Sequence, residues 1–416
     1  MSLLDKATII TTPTAHSDGT LHSIKGGAVA DFDVVRGSAA TRVNAEGLIE
    51  SVATNIPRID YTTGEGVVLL EPQSTNLITN SEGFSQWSTI GSSVVSNAIA
   101  SPSGEINAVK IVEDSSLSVH RIDLGTVASA TQYTMSVFAK AGERSVLSFG
   151  GLGLYGNNEF VQYDLINGTA INTGTTNNAT VSIESYGNGW YRCVATYTAA
   201  GTSGLVLVML DQLYAGNPNQ ATGQTYQGDG ASGLYVYGAQ VEVLSYPTSY
   251  IPTSGAIATR LADSVTGAGD ATTFNSTEGV LYAEVAILGD TGVFEVISLS
   301  NGSTSDIVGF VYRNTTNDFS ASVKSGGSTS LSRTITLADA TDFIKVAISY
   351  KLNEFKFYIN GVLEFTDTSG NTPISLNTLQ FTDGNGTSNK FKGKVKALAV
   401  FNEALTDSEL ECLTKI

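Results

Sequence analysis

Short segments in which apolar and polar residues alternate, each bounded by glycine or asparagine, constrain the fold of this chain more than any other feature. Successive side chains on a β-strand point to opposite faces of the sheet, so alternation predicts strands with one apolar face. Residues 133–139, 191–197 and 235–243 have this pattern, and Asn188-Gly189 supplies the turn before the second. With 43 glycines among 416 residues, the pattern predicts an antiparallel sandwich or jelly roll. One face of the third strand is predicted to carry Tyr235, Tyr237, Ala239, Val241 and Val243.

The last third of the chain has the clearest strand signals. Residues 355–365 contain two apolar runs on either side of Asn360-Gly361, which is the chemistry of a two-residue type I′ hairpin. Residues 344–350 and 393–401 are predicted to add two further strands.

One short helix is predicted near the C-terminus. Thr406 and Glu409 have the spacing of a capping box, in which each side chain binds the backbone N–H of the other residue. Almost all other elements are predicted strands. The predicted fold class is therefore all-β, with two tandem antiparallel β-sandwich (jelly-roll) domains after a short N-terminal segment.

Composition divides the chain into three predicted regions. Residues 1–70 contain too few core residues for an independent domain and are interpreted as an attachment or assembly segment. Residues 71–257 form the first predicted jelly roll, which ends in a proline-containing stretch. Residues 258–416 form the second.

The charge of the chain excludes two classes of partner. Its net charge is −17 and its pI is about 4.5, whereas nucleic acids and anionic membranes are bound by clustered lysine and arginine. The longest apolar run, residues 205–210, is far too short to span a membrane. Asp5 and Lys6 precede any apolar run, so no secretory signal is expected and synthesis in a cytoplasm is predicted. Cys193 alternates within an apolar strand and is predicted to be a buried free thiol.

The C-terminal region resembles a known family of jelly rolls. The stretches FYINGVLEF and KFKGKVKALAVFNEALTDSEL resemble the hairpin and the late strand–helix ending of laminin-G-like or concanavalin-like domains. The resemblance covers residues 274–413. It implies a fold that serves lectins, adhesion modules, glucanases and spacers alike, so it does not by itself imply an activity.

A second resemblance covers the front of the chain. The segment from ATRVNAEG to SEGFSQW is similar to an entry segment of tailed-phage virion proteins, and residues 133–140, 188–192 and 238–253 are similar to the carbohydrate-binding-module-like jelly roll that follows it there. The resemblance implies a virion surface protein of the tail-fibre or receptor-binding type, made in the host cytoplasm. It also implies contact with other virion proteins through the N-terminal segment and a homo-oligomer, with a trimer favoured.

Catalysis is not predicted. The E-x-D-x-x-E signature of glucanases on this fold is absent from residues 258–416, and Glu278 and Glu284 are interpreted as solvated residues at strand ends. Residues 151–156 match GxGxxG without the strand–helix context of a dinucleotide site. The three histidines form no metal motif. A polysaccharide depolymerase remains the second alternative, because carboxylates can meet in three dimensions.

Sugar binding is the favoured function, with host surface polysaccharide as the expected ligand. Aromatic rings stack on the apolar faces of sugars, and the predicted loops of the first jelly roll carry candidates for this role. A purely structural virion component, such as a capsid decoration or a tail subunit that joins its neighbours, is the first alternative. Trp190 is interpreted as a core anchor, whereas for Trp87 and Tyr214 core and surface roles remain open. The candidate carbohydrate-binding residues are Trp87, Tyr155, Tyr186 and Tyr214.

Calcium is the one cofactor considered. Both resembled families often hold a structural calcium ion through oxygen ligands, and the resemblance places Glu82 where such modules bind it. Asp383 is a second candidate, although it also fits a turn.

Overall fold

The computed structural model describes most of the chain. The described residues are 2–17, 19–128, 132–150, 161–172, 179–198, 203–211 and 224–416. Strands dominate this part, which confirms the predicted all-β class. No helix within these residues is both long and apolar enough to cross a membrane.

Thirty-four strands, two α-helices and two short 3-10 helices (Ala28–Ala30 and Phe84–Gln86) make up the described secondary structure. The first part contains α1 (Leu3–Lys6), β1 (Ala7–Ser17), β2 (Thr20–Lys25), β3 (Phe32–Val35), β4 (Ala40–Val43), β5 (Ile49–Val52), β6 (Ile59–Asp60), β7 (Val67–Leu70), β8 (Ser74–Asn76), β9 (Ser88–Ile90), β10 (Ser92–Ile99), β11 (Ala108–Glu113), β12 (Leu117–Ser118), β13 (His120–Ala128), β14 (Gln132–Lys140), β15 (Val146–Gly150), β16 (Val161–Asp164) and β17 (Thr169–Asn172). The second part contains β18 (Thr180–Ser185), β19 (Trp190–Thr198), β20 (Ser203–Asp211), β21 (Tyr226–Gln227), β22 (Gly233–Glu242), β23 (Ala258–Arg260), β24 (Ser264–Val265), β25 (Glu278–Ile287), β26 (Glu295–Ser300), β27 (Ile307–Tyr312), β28 (Asp318–Ser325), β29 (Ser328–Thr336), β30 (Ile344–Lys351), β31 (Glu354–Ile359), β32 (Val362–Asp367), β33 (Thr378–Gln380), β34 (Gly393–Phe401) and α2 (Asp407–Thr414).

The chain folds into two compact units. The C-terminal unit consists of Met1–Ala39, Val52–Pro72 and Leu261–Ile416, and the middle unit consists of Ala40–Ser51 and Gln73–Arg260. The chain passes from one unit to the other after residues 39, 51, 72 and 260, and the predicted domain boundaries stay a prediction.

The first seventy residues do not form a separate body. They are divided between the two units, and most of them belong to the C-terminal unit. In that unit β1 pairs with the last strand, β34, so that Ala7 lies opposite Phe401. This pairing joins the two ends of the sequence in one sheet. The predicted role of these residues in attachment stays a prediction.

The C-terminal unit is a two-sheet sandwich. Its larger sheet has eleven strands, nine of them in the order β24-β3-β2-β1-β34-β25-β30-β31-β32 with β7 and β6 joined through β34, and its smaller sheet has the order β29-β28-β27-β26-β33. The inner faces bury one large apolar cluster that includes Leu281, Phe310 and Phe357. On the other face of the larger sheet, Leu410 of α2 packs with Tyr358.

Four buried ionic side chains tie distant stretches of the C-terminal unit together. Arg36 and Arg58 both donate to Asp263, the first at 2.9 Å between Nη1 and Oδ1. Arg58 Nη1 also lies 2.5 Å from Glu71 Oε2, and the Glu71 backbone N–H donates to Asp263 at 2.8 Å. None of the four residues is more than 2% exposed. We call this group the Arg58 cluster.

The middle unit is a second sandwich. Its two six-stranded sheets have the orders β10-β11-β22-β14-β19-β18 and β17-β16-β15-β20-β13-β9. Their inner faces bury a cluster that includes Met135, Phe149 and Cys193, so the predicted burial of this free thiol is confirmed. Trp190, 2% exposed, lies in a smaller cluster on the outer side, which confirms it as a core residue.

One predicted strand face is wrong, and a β-bulge explains the error. The register between β14 and β22 shifts next to Gly238, whose φ of 61° suits glycine. The inner core therefore receives Ala239 and Val241, whereas Tyr235 and Tyr237 join the outer cluster. An extra residue in a strand reverses the alternation beyond it, and the sequence pattern alone does not locate it.

The local turn and cap predictions are confirmed. Asn360 and Gly361 have φ values of 48° and 82°, as a type I′ hairpin between β31 and β32 requires. In the capping box of α2, the Glu409 backbone N–H donates to Thr406 Oγ1 at 3.3 Å, and the Thr406 backbone N–H donates to Glu409 Oε2 at 3.0 Å.

The Arg58 cluster yields a stability prediction. We expect Arg58→Met to lower the free energy of unfolding of the C-terminal unit by about 3–5 kcal/mol, because it leaves buried carboxylates without their partner. Because both tryptophans lie in the middle unit, hydrogen–deuterium exchange of peptides from the C-terminal unit across a denaturant series measures this loss. Lys351→Met removes a cation that is 51% exposed and 3.2 Å from Glu278, and should cost at most about 1 kcal/mol. Equal losses in both variants would contradict the role assigned to the cluster.

Candidate functional site

Two of the predicted sugar-binding aromatics are half-buried in the middle unit. The Trp87 ring packs against the inner core, and its indole N–H donates to the Asn80 carbonyl at 3.1 Å. The Tyr186 ring packs edge-on against Phe138, with 4.8 Å between ring centroids. Both side chains therefore contribute to packing, and their role in sugar binding stays a prediction.

The other two candidates, Tyr155 and Tyr214, lie outside the described residues. Most of the predicted functional loop at residues 211–230 and the GxGxxG stretch at residues 151–156 lie outside them as well.

Glu82 occupies a polar cleft of about 280 Å³ in the middle unit. Its Oε1 accepts hydrogen bonds from the hydroxyls of Tyr237 at 3.0 Å and Tyr250 at 3.1 Å. Burial, and after it the charge of Glu82, raises the pKa of both phenols, which keeps them protonated as donors. Other side chains that line the cleft are Asn80, Gln86 and Thr253.

The described surroundings of Glu82 do not form a carboxylate-rich calcium site. Calcium in proteins takes six to eight oxygen ligands, several of them usually carboxylates. Within the described parts of the chain, no group of three or more histidine, cysteine, aspartate or glutamate side chains is placed to hold a metal. The contacts of Glu82 support a structural role as a hydrogen-bond acceptor, and its role as a calcium ligand stays a prediction.

Glu278 and Glu284 are not arranged as a pair of catalytic carboxylates. Both lie on β25, six residues apart, which corresponds to about 20 Å along an extended strand. Glycosidases need carboxyl groups about 5–10 Å apart. Each carboxylate instead lies near lysine, Glu278 at 3.2 Å from Lys351 and Glu284 at 3.8 Å from Lys396.

A second cleft, of about 240 Å³, lies on the outer face of the smaller sheet in the C-terminal unit. Alternation along each strand creates its floor. On β26, for example, Ile297 points into the core whereas Val296 lines the cleft. Gly309 and Ser322 on the neighbouring strands carry little side-chain volume, which leaves space above the sheet. We call this the Phe294 cleft.

The rim of the Phe294 cleft combines an aromatic ring with polar groups. The half-buried Phe294 ring has the guanidinium of Arg313 at 5.6 Å from its centroid. Lys324 lines the cleft from β28, and Asp383 and Asn389 line it from the loop before β34. An apolar floor with a few polar groups at the edge is the usual composition of a ligand site.

Hydrogen bonds hold the loop of the rim in place. Asn389 Nδ2 donates to Asp383 Oδ2 at 3.0 Å, and the Asn389 carbonyl accepts from the Val296 backbone N–H at 2.9 Å. Below the cleft, Glu295 accepts from the Lys392 backbone N–H at 2.8 Å. Burial raises the pKa of Glu295 to about 7. The loop is therefore anchored to the first two residues of β26, Glu295 and Val296.

Sequence analysis did not single out this cleft as a site. Its floor residues are ordinary strand residues, and Phe294 precedes β26 without any motif. Among the residues that line the cleft, the sequence analysis names Asp383 alone, as a second candidate for calcium binding that also fits a turn.

The C-terminal unit matches a protein family. Residues 270–411, about a third of the chain, match the family Laminin_G_3, described as the concanavalin A-like lectin/glucanases superfamily. The resemblance predicted for residues 274–413 is confirmed over these residues, which include the Phe294 cleft. The match establishes the concanavalin-like fold of this region, and its ligand has to be argued from the cleft. No curated protein sequence matches the chain.

Several solved structures have limited similarity to the chain. The CBM40 domain of Ruminococcus gnavus IT-sialidase, bound to α2,3-sialyllactose, has 17% identity and a TM-score of 0.30, covering 36% of this chain and 93% of that one. A leech intramolecular trans-sialidase has 17% identity and a TM-score of 0.30, with 34% and 24% covered. The binding domain of botulinum neurotoxin serotype D has 14% identity and a TM-score of 0.28, with 36% and 39% covered. TM-scores of this size support no conclusion about function.

The contacts of Glu82 yield a prediction that separates its two possible roles. We expect Glu82→Gln to lower the free energy of unfolding by about 1–3 kcal/mol, because two phenols lose a charged acceptor. Denaturant unfolding with calcium and with a chelator should give the same loss. Glu105→Gln, which changes an exposed carboxylate in the same unit, should have little effect. A loss that occurs only with calcium would instead identify Glu82 as a metal ligand.

Proposed function

We propose that this protein binds glycans and that the Phe294 cleft is its sugar site. The observation that carries the proposal is one cleft that combines an apolar floor, an aromatic ring and polar side chains at its rim. A sugar ring presents the complementary surface, because its C–H faces are apolar and its edge carries hydroxyls. The lectin-containing family matched by this region supports the proposal.

The size of the cleft favours a short stretch of sugar. Its volume of about 240 Å³ lies just below the ~300 Å³ at the lower end of typical small-molecule pockets. We therefore propose that the cleft holds a single ring of a longer chain. Asn389 and Asp383 supply an amide and a carboxylate for its hydroxyls, and Phe294 supplies the stacking surface.

The proposed function is binding of the sugar without cleavage of a glycosidic bond. Hydrolysis of a glycosidic bond needs two carboxyl groups on either side of the bond. Of the described residues that line the cleft, Asp383 is the one that carries a carboxylate. Glu295 lies next to the cleft, but the residue is 5% exposed and its carboxylate accepts a hydrogen bond from the Lys392 backbone N–H.

We further propose that this glycan-binding protein lies on a phage virion and recognises polysaccharide on the host surface. The ordered motif resemblances at residues 133–140, 188–192 and 238–253 support this proposal. The same resemblance supports a homo-oligomer, with a trimer favoured, and contacts with other virion proteins through the first seventy residues.

The virion location is tested on particles from the cells that encode this chain. Immunogold labelling with antibodies against the purified protein should mark the particle surface. Particles from a strain with the coding sequence deleted provide the matched control. Intact particles that contain none of this chain would contradict the location, and would leave the glycan site untouched.

The glycan site is tested by changing its aromatic ring. We expect Phe294→Ala to weaken binding of the glycans selected on an array at least about tenfold, because the cleft loses its aromatic stacking surface. Val293→Ala, which shortens the neighbouring side chain at 55% exposure, should bind as the wild type does. Titration calorimetry gives both affinities. Unchanged affinity in Phe294→Ala would contradict the site, and a wild type that binds no glycan would contradict the function.

A further inference from the structure

Lys324 brings a positive charge into the Phe294 cleft. It lies on β28, and the residue as a whole is half-buried. It forms no ion pair with a described carboxylate. Elsewhere in the same unit, lysines form such pairs, for example Lys356 with Asp407 at 2.7 Å and Lys396 with Glu65 at 2.8 Å. The charge of Lys324 is thus available to a ligand.

Arg313 adds a second cation on the aromatic side of the cleft. Its guanidinium carbon is 5.6 Å from the centroid of the Phe294 ring, and its Nη1 contacts Ser320 Oγ at 3.4 Å. No described carboxylate pairs with this guanidinium either. Two cations therefore flank a cleft whose described lining contains a single carboxylate, in a chain whose net charge is −17.

The carboxylate of Asp383 offers a hydrogen-bond acceptor to the same ligand. Its Oδ2 accepts one hydrogen bond from Asn389. A carboxylate can accept several hydrogen bonds, so a ligand hydroxyl in the cleft can donate to the same group. Asp383 thus suits the hydroxyl edge of a sugar, and Lys324 suits an anionic substituent.

We infer that the Phe294 cleft selects an anionic sugar ring, whose carboxylate or sulfate group contacts Lys324 while its hydroxyls donate to Asp383. This inference rests on the proposed function, because it names the class of glycan for the same site. The negative charge of the whole chain does not oppose it at close range, since exposed charges beyond about 8 Å are largely screened at physiological salt.

Sugar monomers test this inference directly on the full chain. Glucuronate carries a carboxylate, glucose 6-sulfate carries a sulfate, and glucose is the neutral reference. Affinities from ligand-observed NMR should be higher for one or both anionic sugars than for glucose, by about tenfold, which corresponds to one charge-assisted hydrogen bond. The preferred anion then identifies the natural substituent as carboxylate or sulfate.

Two variants assign the effect to individual side chains. Lys324→Gln should remove the preference for anionic sugars, so that the ratio of their affinity to that of glucose falls from about ten to about one. Asp383→Ala should weaken neutral and anionic sugars alike, because it removes an acceptor for hydroxyls. Lys415→Gln changes the net charge by the same unit at an exposed position and should have no effect.

The outcomes separate this inference from the function on which it rests. Equal affinity for glucose and for both anionic sugars would overturn the selection of an anion and leave a sugar site in place. A preference for anions that persists in Lys324→Gln would also overturn it. Binding of none of the three sugars by the wild type would overturn the sugar site itself, and the inference with it.

Discussion

The C-terminal unit depends on the Arg58 cluster. Arg36, Arg58, Glu71 and Asp263 lie far apart in sequence, and their charges are stable in a dry interior only when all four side chains are present together. The early segments of the chain must therefore fold onto the late one, and they do so as strands of one eleven-stranded sheet. A domain whose pieces are this distant in sequence needs such a constraint, because each alternative docking of the pieces would bury an unpaired charge. The smaller sheet and its cleft rest on the sandwich that this cluster completes.

Polar residues have a similar task in the middle unit. The motifs that resemble virion proteins contain Asn76, Ser81, Gln240 and Thr253, all buried and joined in one hydrogen-bond network. Asn76 Nδ2 donates to the carbonyls of Ala239 and Ile251, and Ser81 Oγ accepts from the Thr253 backbone N–H at 2.8 Å. The buried side chains of these motifs therefore hold strands and connecting segments together through hydrogen bonds. Their presence supports a shared fold more strongly than a shared ligand, since all four side chains are buried and bind the backbone of neighbouring segments.

The sequence allowed prediction of features that depend on neighbouring residues. The hairpin at Asn360, the cap at Thr406 and the buried Cys193 all follow from patterns within a few positions. Features that depend on distant partners were missed. The pairing of Ala7 with Phe401 joins residues from opposite ends of the sequence, and no local pattern specifies it. The bulge at Gly238 was missed for a different reason, because an inserted residue leaves the composition of a strand unchanged while it reverses the faces.

The choice of candidate site residues failed to find the cleft for a physical reason. Aromatic side chains were selected as sugar platforms because of their type, but Trp87 and Tyr186 also supply the large apolar area that a sandwich core needs. The Phe294 cleft instead owes its shape to small residues such as Gly309 and Ser322 on the outer face of the smaller sheet. Such a cavity forms where side chains are small, and small residues at isolated strand positions produce no recognisable sequence motif. The charge of a lining residue is a more informative feature of this cleft. Lys324 lines the cleft without an ion pair to a described carboxylate, and it is the residue at which we propose that the anionic group of a ligand binds.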